Sequence, residues 1–244
     1  MAGIKEEAGV DGQNHPTLRE IAQDILTGRL RNDFYEYWSM ALLYRMPSLP
    51  LVWVSVRIGV SPVQVTLAGL LLALSLPLQA AVWPLAVAPF AVCFSAALCQ
   101  VMDCADGTLA RLTGRASLTG RDLDFIVDMT QWGLLYVALG LIADRLAGGG
   151  FGWTALSMTA AWARLLARVV RDRLSAGGID DETPAKPPKG AVEFVLVALA
   201  GMSGLIPFFA LLGPWITWAI LFLLIYGVLD VLEGAVPLVA RLRQ

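Results

Sequence analysis

Apolar positions fall in long unbroken runs along this chain, so the gaps between charges are the first guide to its elements. Between Arg57 and Asp103 lie 45 residues without a charged side chain. At about 1.5 Å of rise per residue, one helix of that length would be roughly 68 Å long, twice the ~30 Å of a bilayer's hydrocarbon core. The run therefore predicts two crossings. Their break belongs near Pro77, Trp83 and Pro84, because Trp favours the membrane interface and Pro favours helix starts. From Glu193 to Asp230, 36 uncharged residues are interrupted by Gly204, Pro207 and Gly213-Pro214, and these predict two more crossings. Residues 121–145 and 151–174 supply another two, joined at Gly148-Gly149-Gly150. The expected spans are 62–82, 85–112, 120–145, 151–174, 190–209 and 214–240.

Ahead of them, Phe34, Tyr35, Tyr37, Trp38, Leu42, Leu43 and Tyr44 alternate with Asp33, Glu36 and Arg45. That mixture reads as an amphipathic helix lying in the interface, or as a short soluble helix packed on the cytoplasmic face. Residues 47–60 are too short and too broken to span alone. The first 16 residues hold acids, Gly and Asn but no apolar run, so a disordered N-terminus without a cleavable signal peptide is expected. Residues 175–190, rich in Gly and Pro, read as a loop. The fold class is all-α: a polytopic membrane protein with six transmembrane helices (61–244) preceded by an amphipathic juxtamembrane region (17–60).

Composition agrees with this pattern. The apolar set makes up 57% of the 244 residues and charged residues only 16%, and the mean hydropathy is +0.65. A soluble domain carries roughly 25% charge. With 18 basic against 20 acidic residues, no net field exists to attract nucleic acid. Six spans put both termini on one side, together with 17 of the 18 Lys and Arg; Arg145 alone falls opposite. Positive charge marks the cytoplasmic side, so the termini are expected there. The single histidine, His15, argues against a histidine triad, zinc site or proton relay. Cys93, Cys99 and Cys104 lack metal or disulfide spacing and read as small apolar residues.

Charge inside a membrane helix costs roughly 2.5–3.5 kcal/mol on insertion scales, so its presence points to function. Asp103 and Asp106 sit three apart at the end of the second expected span. Asp124 and Asp128 sit four apart at the start of the third. Both spacings put each pair on one helix face, and a short connection makes the two helices antiparallel neighbours, so the four carboxylates can converge. An oxygen-only set without histidine suits magnesium, manganese or calcium, and two divalent ions would balance the charge and bind a phosphate. The plainer alternative is a solvated cluster of charges at helix ends. Gly107 and Ala110 share the acidic face, and Arg111 follows with a planar fork suited to phosphate.

Written out, Asp103-x-x-Asp106-Gly107-x-x-Ala110-Arg111, eight residues, then Gly120-x3-Asp124-x3-Asp128 resembles the signature of the CDP-alcohol phosphotransferase family, with all eight fixed positions at the family's spacing. Ser61-Pro62-Val63-Gln64-Val65-Thr66 is similar to that family's S/T-P-N-x-V-T segment, with Gln64 where Asn is common. The resemblance implies a phospholipid-biosynthesis enzyme of the bacterial cytoplasmic (inner) membrane, with its active site on the cytoplasmic side. It would transfer a substituted phosphate from a CDP-alcohol, such as CDP-diacylglycerol, to an acceptor alcohol and release CMP. It further implies two Mg2+ or Mn2+ ions on Asp103, Asp106, Asp124 and Asp128, with Asp128 as the catalytic base. Gly107, Ala110 and Arg111 would receive the cytidine nucleotide, and Gly120 would allow its approach or close helix packing. A homodimer among membrane lipids is also implied.

The acceptor is less legible. Arg164, Arg168 and Arg171 form one stripe of the fourth expected span, with Lys189 in the following loop. They can bind an acceptor or donor phosphate, or they can serve only topology and headgroup contact. Two other classes share some of these features. An intramembrane prenyltransferase also binds a diphosphate through aspartates, but its N-D-x-x-D motif is missing here. An ion-coupled transporter would carry broken helices near the midplane, whereas these charges sit at one face.

Overall fold

The computed structural model describes residues 18–24, 38–175, 190, 194, 197–198 and 201–242, and all regular structure among them is helical. A short helix α1 (Leu18–Asp24) precedes a π-helical turn (Ala41–Arg45) that runs into α2 (Met46–Ile58). Then come α3 (Pro62–Val82), α4 (Ala88–Leu112), α5 (Leu118–Leu146) and α6 (Gly152–Ser175). A 3-10 segment (Met202–Trp215) leads into α7 (Ile216–Leu242).

Local chemistry sets several of these boundaries. α3 opens with a full capping box: the Gln64 backbone nitrogen donates to Ser61 Oγ, and the Ser61 backbone nitrogen donates to Gln64 Oε1 at 2.8 Å. Two orphan N–H groups of the first turn are thereby satisfied, with Pro62 at a position that has none to lose. That gives Gln64 a structural role. Between α5 and α6 the chain reverses through Gly148, Gly149 and Gly150, whose φ values of 94°, 112° and 103° favour glycine. Asp144, buried near the end of α5, accepts from the backbone N–H groups of Trp153 and Thr154, each at 2.9 Å, and so caps α6 from its neighbour.

Among the described residues, four segments are long and apolar enough to cross a membrane: α3, α4, α5 and the stretch Met202–Ala235. α6 occupies the expected 151–174 and has 24 residues, but Arg164, Arg168, Arg171, Asp172 and Arg173 make it too polar to join that set. The expected 190–209 span lies partly outside the described residues. Its described end begins the 3-10 segment, where Pro207 lacks an N–H and Gly213 turns to φ 55°, so the expected break at Gly213-Pro214 is a kink inside one apolar stretch. The expected disordered N-terminus falls on residues outside the described ones.

The segment that follows residue 37 does not stand apart from the bundle. Trp38 Nε1 donates to the Ala198 carbonyl at 3.2 Å, the Tyr44 hydroxyl donates to Gly204 O at 2.5 Å, and Ser39 bonds Gly201 O. Gly201 and Gly204 permit this approach, since a Cβ on either would overlap Trp38 or Ser39.

α3 packs on both α4 and α5, α5 on α6, and α6 most extensively on α7. The larger core gathers Leu76, Val92, Trp132, Leu139, Ile142, Ile206 and Ile220 from five segments. A smaller one joins Ile21 and Val52 to Val65 and Leu109 beneath the acidic end of the bundle. Outside, Leu71, Leu78, Trp218, Ile225 and Leu232 are each at least 60% exposed, an apolar surface suited to lipid.

Candidate functional site

The C-terminal half of α4 carries Asp103 and Asp106, and the first half of α5 carries Asp124 and Asp128. Asp106 and Asp128 are buried, at 4% and 7% exposure. Asp103 lies within electrostatic reach of the other three. The Thr66 hydroxyl, from the first turns of α3, donates to Asp106 Oδ2 at 2.5 Å. Arg168 of α6 forms an ion pair with Asp128. Four helices thus meet at the acidic end of the bundle.

Of the four carboxylates expected to converge, Asp103 and Asp128 border one cavity. Among the described residues, no three acidic, histidine or cysteine side chains stand together closely enough to hold a metal ion as they are. Like charges on facing helices repel, and Asp106 and Asp128 each take the nearest donor the fold offers. The donor set itself is oxygen-only and fits a hard divalent cation.

Beside the carboxylates opens a cavity of about 310 Å³, bordered by Asp103 and Asp128, by Arg164, Arg168 and Arg171, and by Gln100, Trp132 and Ser203 among others. The arginine stripe thus lies on the wall of the same cavity. Each guanidinium already has neighbours. Arg171 makes a two-pronged pair with Asp230 of α7, at 2.5 and 3.2 Å. Arg164 lies over the rings of Trp132 and Tyr226, at 5.2 and 5.3 Å, and Arg168 lies 5.6 Å from the ring of Phe125. Lys189 is outside the described residues.

Gly107, which follows Asp106 on α4, is partly exposed. Among the described residues outside its own helix backbone and chain neighbours, a Cβ placed there would meet the tip of Arg111, at 3.4 Å, and nothing else within 4 Å. Ala110 is half-buried on the same helix, and Arg111 donates to the Thr108 hydroxyl at 3.2 Å. Gly120 has a local reason to be small: a Cβ would sit 3.0 Å from Ser117 Oγ, the oxygen that caps α5 by accepting from the Gly120 nitrogen.

Three contributors were not singled out from the sequence as site residues: Thr66, Gln100 and Ser203. Thr66 acts across 40 positions, Ser203 comes from a distant segment, and Gln100 resembles any uncharged member of an apolar helix. For Gln100 one signal existed, an amide three residues before Asp103 and hence on the acidic face. No protein-family model matches the chain, and no curated protein matches it.

Proposed function

We propose that this protein is a membrane-embedded CDP-alcohol phosphotransferase, transferring the substituted phosphate of a CDP-alcohol such as CDP-diacylglycerol to an acceptor alcohol and releasing CMP. The observation that carries the reading is the Asp103-to-Asp128 pattern on two adjoining helices, with Asp103 and Asp128 bordering one cavity together with three arginines.

On this reading Asp103, Asp106, Asp124 and Asp128 would hold two Mg2+ or Mn2+ ions, which supply positive charge to the donor diphosphate and the leaving CMP. The open side of Gly107, with Ala110 and Arg111, receives the cytidine nucleotide. Asp128 accepts the proton of the acceptor hydroxyl. The acceptor oxygen bonds to the phosphorus that carries the donor's alcohol group. The bond from that phosphorus to the bridging oxygen breaks, and its electron pair leaves with CMP. Arg168 holds the Asp128 carboxylate through their ion pair. Arg164 and Arg171, with Lys189, add positive charge for a phosphate of the acceptor or donor.

α6 is read here as a further crossing. Its 24 residues reach about 36 Å, and its arginines lie in the half nearest the aspartates, where long side chains extend to the cavity and the headgroups. On this reading residues 190–240 cross twice, on either side of the kink at Gly213-Pro214, and with α6 the topology has six spans. The excess of Lys and Arg on the side of the termini orients the active site to the cytoplasm, in a bacterial inner membrane. A homodimer follows from the family resemblance.

The test is CMP release by the purified protein from CDP-diacylglycerol or CDP-choline with a panel of acceptor alcohols. Release that depends on the acceptor, stops with EDTA and returns with magnesium is the expected result. Release that continues unchanged in EDTA would overturn the metal assignment.

A further inference from the structure

The entry to α3 reaches the acidic cluster through one hydroxyl group. Thr66 lies just past the capping box of Ser61 and Gln64 and is 7% exposed. Its Oγ1 has two oxygens in reach: Asp106 Oδ2 on α4, at 2.5 Å, and the Pro62 carbonyl of its own helix, at 3.1 Å. A threonine hydroxyl has one proton to donate. The carboxylate is nearer and charged, and a charge-assisted bond is roughly twice as strong as a neutral one, so the proton goes to Asp106. Helix propensity does not favour threonine here, and a valine of nearly the same shape would lack only the hydroxyl. Packing holds the two partners in register. Three residues on from Thr66, Gly69 brings α3 against α4: a Cβ there would touch Met102 Cβ, 3.7 Å away, and Cys99 Sγ lies 3.6 Å from the Gly69 carbonyl oxygen. On the other side, buried Val65 and Leu109 belong to one apolar cluster. The Thr66–Asp106 bond is thus enclosed between packed contacts of the same two helices.

We propose that Thr66 is a positioning residue of the divalent-cation site, its hydroxyl fixing the rotation of the Asp106 carboxylate that ligates the cation. This inference rests on the two-cation reading above. An aspartate carboxylate turns about a broad terminal torsion, and a donor held on one of its oxygens removes that freedom before the cation arrives. Hydrogen bonds to ligating carboxylates act in this way in metal sites generally, and losing one costs about 10–100-fold in affinity. The effect depends on the cation. Mg2+ demands near-ideal octahedral geometry at about 2.0–2.1 Å, whereas Ca2+ accepts variable geometry and bidentate carboxylates at about 2.3–2.6 Å. A carboxylate held by Thr66 therefore favours the smaller ion. On this account α3, which carries none of the four aspartates, takes part in choosing the cation.

The experiment uses the full-length protein in detergent and measures cation binding directly, without substrate. Bound Mn2+ is read by electron paramagnetic resonance, and Mg2+ and Ca2+ are titrated against it as competitors. Thr66→Val, which keeps the shape and removes the donor, should raise the Kd for Mg2+ about 10–100-fold and that for Ca2+ distinctly less. Thr66→Ser, which keeps a hydroxyl, should recover most of the Mg2+ affinity. In an Asp106→Asn background Thr66→Val should add little further loss, because the hydroxyl acts through that carboxylate. Should Thr66→Val not fold, Thr66→Ala gives the same comparison with a shorter side chain. An unchanged Mg2+ Kd in the folded variant, equal losses for Mg2+ and Ca2+, no recovery in Thr66→Ser, or an undiminished loss in the Asp106→Asn background would each overturn the assignment while the two-cation site stands. A wild type that binds none of the three cations would instead overturn the parent reading, and this inference with it.

Discussion

Asp128 carries two duties in the proposed reaction, as metal ligand and as base, and the ion pair with Arg168 fixes where its carboxylate sits. Asp128→Asn keeps the shape but removes the proton acceptor. Turnover should fall by about 10²–10⁴-fold, the usual worth of a positioned base, while nucleotide affinity measured by titration with CMP falls far less. Asp103→Asn should instead weaken metal and nucleotide binding together. Equal effects of the two substitutions on nucleotide affinity would remove the division of labour. Gly107 offers a complementary test, because among the described residues beyond its own helix backbone only the flexible tip of Arg111 comes within 4 Å of a Cβ placed there. Gly107→Val should raise the KM for the CDP-donor at least about tenfold by blocking close approach to α4, with a helix-propensity effect on stability below about 1 kcal/mol. A stable variant with unchanged donor KM would take the nucleotide away from this face.

Helix packing determines whether those residues meet. α5 and α6 cross closely at Gly140, where a Cβ would come within 2.5 Å of Thr154 Cα. α6 and α7 meet at Gly227, where a Cβ would lie 3.0 Å from Ala160 O and 3.3 Å from Ala163 Cβ. These contacts keep the arginine face of α6 against the acidic end of α5. The Asp144 cap belongs to the same arrangement: Asp144→Ala should lower stability by about 0.5–2 kcal/mol, read as a lower midpoint of thermal unfolding in detergent. An unchanged midpoint would show that the cap does not hold α6 to α5. Charge gaps and turn residues made much of this level legible in the sequence. The bounds of α3 and the glycine turn before α6 follow from capping chemistry and from runs of uncharged residues, which are local. Its polar composition keeps α6 outside the set of clearly apolar spans, because Arg164, Arg168 and Arg171 serve the cavity as well as the helix. The Thr66–Asp106 bond, the docking of Trp38 and Tyr44 on the 198–204 segment, and the crossing at Gly140 depend on tertiary approach, which hydropathy spacing does not encode.

At the scale of the molecule, an apolar bundle with exposed leucines and tryptophans encloses a small polar cavity whose wall carries both acidic and basic side chains. Burying those charges is costly unless ligands and partners compensate them, and in the proposed function anionic substrates and divalent cations do so. Metal removal should therefore act on more than rate: EDTA-treated protein should lose affinity for CMP, and magnesium or manganese should restore it. CMP affinity indifferent to EDTA would separate the nucleotide site from the aspartates. The most direct test of the central claim is a count of CMP released from CDP-diacylglycerol by purified wild type and by Asp103→Asn, with magnesium and with each acceptor alcohol in turn. The wild type should release one CMP for each acceptor–phosphate bond formed, and the variant should lose nearly all release. No release by folded wild type with any donor and acceptor, or equal release by Asp103→Asn, would contradict that claim.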